Sequence, residues 1–450
     1  MKKNARVYGW LLALCLAGWA LLTFPHLVAA DSPIQDVPVP ISRWMVLNPE
    51  TNKLYMDSYA GGSFLTVLNG ATYATKTLSY PGGWYVDAAV DAIHNRIYLL
   101  PGSYLSDDPI LVVNGATDTW TTSLPVPTGT SRRENQALAM DAQGRQVYFA
   151  EETTSSHVLV HQIDAVSRAS VGSMDVTTGS VVDLAYNPAN GMVYLLTSHF
   201  VSGSWDHNTV WALDMAEDAV LRSEAIDVQY AKLVVNETTS DVYVGTTALD
   251  GDRHTVLTRS MPAQARVVNP YTNKVYCFNN GGTLYEVDGT QFTSTALRDF
   301  ANIDPTYQGD AIAINPALNK LYLFSDQYGS SYMYDPTRDL RQTLSEGMTR
   351  WALVNPHNHR LYLAPSRTQV SIYGGAPTLN VSRVTLTFVA VQDGADPPTQ
   401  GFIVRMNSGD RGNLRYTVVS DAPWLAANKS GRFLEWYPIS TTLEAQVTAQ

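Results

Sequence analysis

The stretch Val268-Asn-Pro-Tyr-Thr-Asn-Lys-Val-Tyr276 decides the fold, because it is one of eight copies of one pattern: a short polar turn, a basic or polar residue, an aliphatic residue, then Tyr. The others are Asn48-Pro-Glu-Thr-Asn-Lys-Leu-Tyr55, Asp91-Ala-Ile-His-Asn-Arg-Ile-Tyr98, Asp141 to Tyr148, Asn187 to Tyr194, Asn236 to Tyr243, Asn315 to Tyr322 and Asn355 to Tyr362. The tyrosines lie 43, 50, 46, 49, 33, 46 and 40 residues apart. Apolar residues between them alternate with a period of two, and the punctuation is Gly, Pro, Asn and Asp rather than helix caps. In such a chain this spacing means one four-stranded unit per repeat. The expected fold is all-β, a β-propeller of eight blades rather than seven.

The second repeat shows the layout: Ala88 to Val90 as a short inner strand, then Arg96 to Leu100, Ile110 to Val113 and Thr119 to Leu124 as the outer one. Third strands end at Asn69-Gly70, Asn114-Gly115, Asp164-Ala165, Asp214-Met215, Asp288-Gly289 and Asp335-Pro336, where Asn or Asp caps its own backbone and Gly is expected to supply a positive φ. The 33 residues from Tyr243 to Tyr276 leave little room after Thr255 to Ser260 for an outer strand, so the fifth blade is expected to have three. The last repeat has no outer strand of its own after Val370 to Tyr373, whereas Val37-Pro-Val-Pro-Ile41 precedes the first inner strand. The N-terminal segment is therefore expected to complete the last blade and close the ring, which removes an open sheet edge.

The copies, paired with Leu65-Thr-Val-Leu-Asn-Gly-Ala-Thr72 and Leu111-Val-Val-Asn-Gly-Ala-Thr117, resemble the YVTN family of propellers, related to bacterial surface-layer and YncE-type proteins. The resemblance covers about residues 34 to 375, with Gln143-Gly144 and Thr239-Ser240 replacing the usual Thr-Asn in the third and fifth repeats. After Gly374-Gly375-Ala376-Pro377 the repeat stops. Val384-Thr-Leu-Thr-Phe388, Gln400-Gly-Phe-Ile-Val404, Leu414-Arg-Tyr-Thr-Val418, Trp424-Leu425 and Ser430-Gly431 resemble a BACON-type immunoglobulin-like domain. Five or six strands precede Gln450 where a sandwich needs about seven, so residues 376–450 are expected to be an incomplete β-sandwich following a propeller at 31–375.

Residues 1–30 read as a secretory signal: Lys2, Lys3 and Arg6, an apolar run from Val7 to Leu22, and Val28-Ala29-Ala30 before Asp31. The expected location is secreted or at the cell surface, without membrane insertion after cleavage. Past that leader, 27 Lys and Arg stand against 41 Asp and Glu, a formal charge of −14. Nucleic acid is excluded as a partner, since a long polyanion meets net repulsion and no basic cluster interleaved with aromatics offsets it. Cys277 alone remains, so no internal disulfide can form and core packing must hold the fold.

Two groups of candidate binding residues follow from blade geometry. Tight turns between first and second and between third and fourth strands share one rim, whereas longer, variable connections share the other, where binding usually sits. Each inner strand opens on a polar residue, Arg43, Asp87, Gln136, Asp183, Lys232, Gln264, Asp310 and Arg350, which together suggest a polar ring at the mouth of the central channel. The long connections Pro101 to Pro109, Glu151 to His157, Thr197 to Asn208 and Thr246 to His254 contribute Tyr104, Trp205, His207 and His254 as candidate contacts. Their acidic residues (Asp107, Asp108, Glu151, Glu152, Asp206, Asp250, Asp252) make calcium a possible cofactor, although no Asp-x-Asp-x-Asp-Gly loop is present.

Catalytic motifs are missing from the sequence: there is no His-Glu-x-x-His, Gly-x-Ser-x-Gly, phosphate-cradling Gly-rich loop or Cys-x-x-Cys. His157 and His161 read as strand residues packed on a blade face, and His357 and His359 as turn residues. The function expected is a binding platform for extracellular polysaccharide, cell-wall material or a surface protein. Two alternatives belong to other classes. One is a metal-assisted lactonase- or lyase-type enzyme using Asp87, Asp183 and Asp310, an analogy with related propellers; the other is a structural surface-layer component.

Overall fold

The computed structural model describes residues 33–374, apart from 60–62, 82–83, 103–108, 127–135, 142, 154, 202–203, 229–231, 258–260, 280, 301–311, 326–329 and 347–348. Beyond them it describes the strand backbone at 379–381, 400–406, 414–418, 425–426, 429–433 and 440–447. All regular structure among these residues is antiparallel strand. Eight sheets make the propeller. The first joins Met45–Asn48, Lys53–Tyr59, Ser63–Asn69 and Thr75–Ser79, each strand pairing with the next. In the second blade the inner strand is longer than its sequence suggested, Tyr85–Asp91, followed by Arg96–Pro101, Ile110–Asn114 and Thr119–Leu124. The inner strands follow one another in a ring, and Met45–Asn48 comes back beside Trp351–Val354.

Both irregular blades are as expected. The fifth has three strands, Leu233–Val235, Val242–Val244 and Thr247–Leu249, with a single bridge from Leu249 to Val256 where a fourth would begin. The last takes its outer strand from the N-terminal segment: Gln35–Pro38 pairs with Gln369–Tyr373, Gln35 opposite Ile372 and Pro38 opposite Gln369. Val37, Val39 and Ile41 are buried there with Met45, Leu54, Val370 and Ile372 in one cluster spanning the eighth and first blades. Burying three such side chains is worth about 1.5–3 kcal/mol each, which favours closure over an open edge. Strands past residue 374 form separate pairings: Leu379–Val381, Gln400–Met406, Ser440–Val447 and Leu425–Ala426 in one sheet, and Leu414–Val418 with Lys429–Phe433.

The repeat's turn chemistry differs from its sequence reading in one respect. Gly70, Gly115, Gly251 and Gly289 do not have positive φ. They are needed for close approach: the amide of Gly70 donates to Asn52 O (2.8 Å), that of Gly115 to Asn95 O (2.8 Å) and that of Gly289 to Asn273 O (2.9 Å). A Cβ at any of the four would collide with the facing turn, at Asn52, Asn95, Ser240 or Asn273. Positive φ falls instead on the fifth turn residue in seven blades, at Asn52, Asn95, Gly191, Ser240, Asn273, Asn319 and His359, and on the fourth, Gly144, in the third blade. Asn dominates because its short amide tolerates the left-handed region.

The first turn residue then links the blades. Asn48 Oδ1 accepts from the Glu50 amide (3.1 Å) while its Nδ2 donates to Asn95 Oδ1 of the next blade (2.8 Å). The same step recurs from Asn187 to Ser240 O (2.7 Å), Asn236 to Asn273 (2.8 Å), Asn269 to Asn319 (2.8 Å) and Asn355 to Asn52 (2.9 Å). His359 Nδ1 donates to Asn315 Oδ1 at 3.2 Å, so the bond runs backwards there. Where the first residue is Asp91, which has no amide to donate, its carboxylate turns to His94 (N 2.9 Å, Nδ1 2.8 Å) and lies against Gly144 of the third blade. Basic residues before the Tyr reinforce the step: Lys53 Nζ reaches Gly115 O and Asp118 (2.8 Å each), Arg96 reaches Ala165 O (3.3 Å) and Arg360 reaches Gly70 O.

Replacing fully buried Asn236 by Ala removes a donor to Asn273 and an acceptor for the Thr238 amide (3.1 Å). Urea denaturation is expected to show a loss of about 2–3 kcal/mol. Glu237→Ala, at the exposed neighbour, should stay within about 0.5 kcal/mol of the parent.

Candidate functional site

At the channel mouth the two carboxylates hold main chain. Asp87 and Asp183 occupy equivalent positions beside bulges in their inner strands. Asp87 Oδ1 accepts from the Ala88 amide (2.8 Å) and Oδ2 from Leu138 of the third blade (2.9 Å). Asp183 repeats this with Leu184 (2.9 Å) and Leu233 of the fifth blade (2.9 Å). Burial pushes the Asp87 carboxyl up to about 7; the two amides and Lys232 offset part of that, and Asp183 adds to it. Gln136, between them in the ring, has both amide atoms buried without a partner among the described residues. Gln264 Oε1 accepts from Arg266 Nη2 (2.8 Å), Lys232 and Arg350 are exposed, and Asp310 lies outside the described residues.

The described candidates of the long connections lie on different elements, and one of them on the other rim. Glu151 and Glu152 are buried at the end of Gln146–Glu152 rather than in a loop, and Glu151 Oε1 accepts from His161 Nε2 at 2.9 Å. Trp205 and His207 lie on a hairpin of the fourth blade, Met192–Val201 with Ser204–Asp214. There Trp205 Nε1 donates to Asn208 Oδ1 (3.2 Å) and His207 stacks on His199 with centroids 4.7 Å apart.

His254 belongs to the opposite rim. The second and third strands of the fifth blade are joined by Gly245 and Thr246 alone, and Asp250-Gly251 is the turn after the third strand. Asp250 Oδ1 caps Asp252 and Arg253 (2.9 Å each), as Asn69 caps Ala71 and Thr72. His254 lies with Nδ1 2.9 Å from Tyr194 OH at the tight-turn end. The missed signal was Asp-Gly itself, the same dipeptide turn seen in the sixth repeat. Tyr104, Asp107 and Asp108 lie outside the described residues. Among those described, no three His, Cys, Asp or Glu side chains are grouped to hold a metal ion.

What the variable rim does contain is a cleft of about 520 Å³ over the ring closure, lined by Ser42, Arg43, Asp57, Ser58, Ser63, Trp84 and Arg367. Arg367 comes from the eighth blade, Ser42 to Ser63 from the first and Trp84 from the approach to the second. Its walls are fixed by main chain: the amide of Ile41 donates to Arg367 O and that of Ser42 to Asp57 O, both 2.7 Å. Arg43 lies over the Trp84 ring, its guanidinium carbon 3.9 Å from the centroid, a cation–π contact. Arg43 and Arg367 are exposed, and neither guanidinium has a hydrogen bond or ion pair among the described residues. Asp57, which lines the cleft, is 5 % exposed; Oδ1 accepts from Tyr80 OH (3.0 Å), and Oδ2 has no protein donor among the described residues. Burial raises the Asp57 carboxyl above its usual range, and Tyr80 and Arg43 offset part of the shift. Of these residues only Arg43 stood out in the sequence, because Asp57, Trp84 and Arg367 come together through ring closure.

The fold and this rim define the chain as an eight-bladed β-propeller. Solved structures with a similar fold include the hydrazine synthase of Kuenenia stuttgartiensis, at 14% identity and a TM-score of 0.48, over 78% of this chain and 98% of that one. No family model and no curated protein matches the sequence.

Asp87 provides a pH test. Its carboxyl sits near 7 when folded and near the ordinary value of about 3.9 when unfolded, so the folded state holds the proton more tightly between the two. Its contribution to stability is full below about pH 4 and falls as pH rises to about 7. Asp87→Asn is expected to flatten that fall in urea midpoints taken from about pH 4 to about pH 8. An unaltered slope would mean Asp87 is ionised throughout.

Proposed function

We propose that this chain is an exported binding platform for extracellular polysaccharide, cell-wall material or a surface protein, and that its ligand sits on the variable rim. The observation that carries the reading is the cleft over the ring closure, where two guanidiniums have donors not engaged among the described residues and Asp57 Oδ2 has no protein donor among them. Arginines in that state are suited to recognising an external partner, since each presents a rigid planar fork. The sequence adds the leader at residues 1–30, the YVTN-like repeats and, past residue 375, the BACON-like segment, which would act as a spacer or accessory contact. The lactonase-type alternative gains no support from the channel mouth. Both described carboxylates there accept main-chain amides from the next blade, a structural use.

Pull-down of the mature protein on cell-wall material and on a glycan array tests the reading. Arg43→Ala combined with Arg367→Ala is expected to lower retention at least about tenfold, the loss of one charge-assisted hydrogen bond or more. The melting temperature should be unchanged, because both side chains are exposed. Retention that survives the double change would place the ligand elsewhere or reject the platform.

A further inference from the structure

The chemistry lining the cleft narrows the ligand, and this narrowing rests on the platform reading above. Arg43 and Arg367 each supply a planar fork of donors of the kind that pairs with a carboxylate. Asp57 Oδ2 supplies an acceptor with no protein donor among the described residues. Ser42 and Ser63 add hydroxyls that can donate or accept. An anion alone would use the arginines and be repelled by Asp57; a neutral polyol would use Asp57 and the serines and leave two guanidiniums idle. A sugar bearing a carboxylate uses all of them, its acid on the arginines and neighbouring hydroxyls on Asp57 and the serines. The volume, about 520 Å³, suits one or two sugar rings rather than a long segment.

The charge of the whole molecule sets the ligand's length. At a formal −14 past the leader the protein repels an extended polyanion at long range, whereas a single carboxylate meets mainly the local field of the two arginines. We infer that the cleft between the eighth, first and second blades binds a terminal or short acidic saccharide, one hexuronic acid unit held through its carboxylate by Arg43 and Arg367 and through its hydroxyls by Asp57. Trp84 acts as a positioning residue, since its ring carries the Arg43 guanidinium.

Calorimetry on the protein from Asp31 onward, at low salt, tests this with galacturonic acid and its dimer, galactose, acetate and polygalacturonate. Galacturonic acid is expected to bind at least about tenfold more tightly than galactose or acetate, and Arg43→Ala or Arg367→Ala to weaken it about tenfold or more. Arg43→Lys keeps the charge but loses the fork and the stacking, and should fall close to the Ala variant. Asp57→Asn should reduce the preference over acetate while leaving acetate itself unweakened. Equal binding of galactose overturns the acidic class, equal binding of acetate overturns the saccharide, and tighter binding of polygalacturonate per unit overturns the short ligand. If none binds, the inference falls, while the platform reading is judged separately by the cell-wall retention of the parent protein.

Discussion

The buried asparagine at the head of the turn in six of the eight repeats is the constraint on which the rest of the structure depends. An amide side chain carries an acceptor and two donors at once, so it can close its own turn with Oδ1 and extend Nδ2 to the following blade. Asn48, Asn187, Asn236, Asn269 and Asn355 all do this, each fully buried. Its receiver is the fifth turn residue of the next blade, whose positive φ turns it toward the incoming amide. A carboxylate cannot take both roles, and Asp91 is accordingly bound to His94 within its own turn. Because such groups are buried, a lost partner costs more than the bond is worth when made, which keeps the blades in register around the ring.

One rim is thereby occupied by its own architecture. Most donors and acceptors of the described tight turns are engaged within or between blades, Thr51 Oγ1 and Asn315 Nδ2 being buried exceptions, and Gly70, Gly115, Gly251 and Gly289 admit no side chain. The opposite rim has no such requirement, since connections there only need to span from strand to strand. The cleft of Arg43, Asp57, Trp84 and Arg367 forms at the ring closure, where the blade built from both ends of the propeller meets the first blade and the approach to the second. A non-repeating seam in a repeating ring allows side chains of unlike chemistry to face one another.

Much of the fold was legible because turns and strand periods are local. The eight copies, the short fifth blade and the strand taken from the N-terminal segment all follow from spacing along the chain. Reading went astray where two local signals competed. Thr246 to His254 resembled one long loop, yet the second and third strands of that blade are so short that Gly245 and Thr246 suffice to join them, and Asp250-Gly251 forms the ordinary turn on the other rim. The sequence assigns Gly70 and Gly115 a left-handed conformation, whereas in the fold they serve close backbone approach without positive φ. Glu151 and Glu152 counted as loop acids until pairing extended their strand and buried them.

By itself the sequence determined the repeat, the blade number, the closure and the acidic charge, since each depends on near neighbours or on a simple sum over residues. Only the tertiary structure decided which polar side chains are engaged and which are left to a ligand. Asp87 and Asp57 look alike in sequence, two aspartates within seven-residue strands. In the fold, the amides of Ala88 and Leu138 bind both oxygens of the first, whereas Tyr80 takes one oxygen of the second. That difference arises because hydrogen-bond partners are assigned by contacts across blades, between residues far apart in the chain.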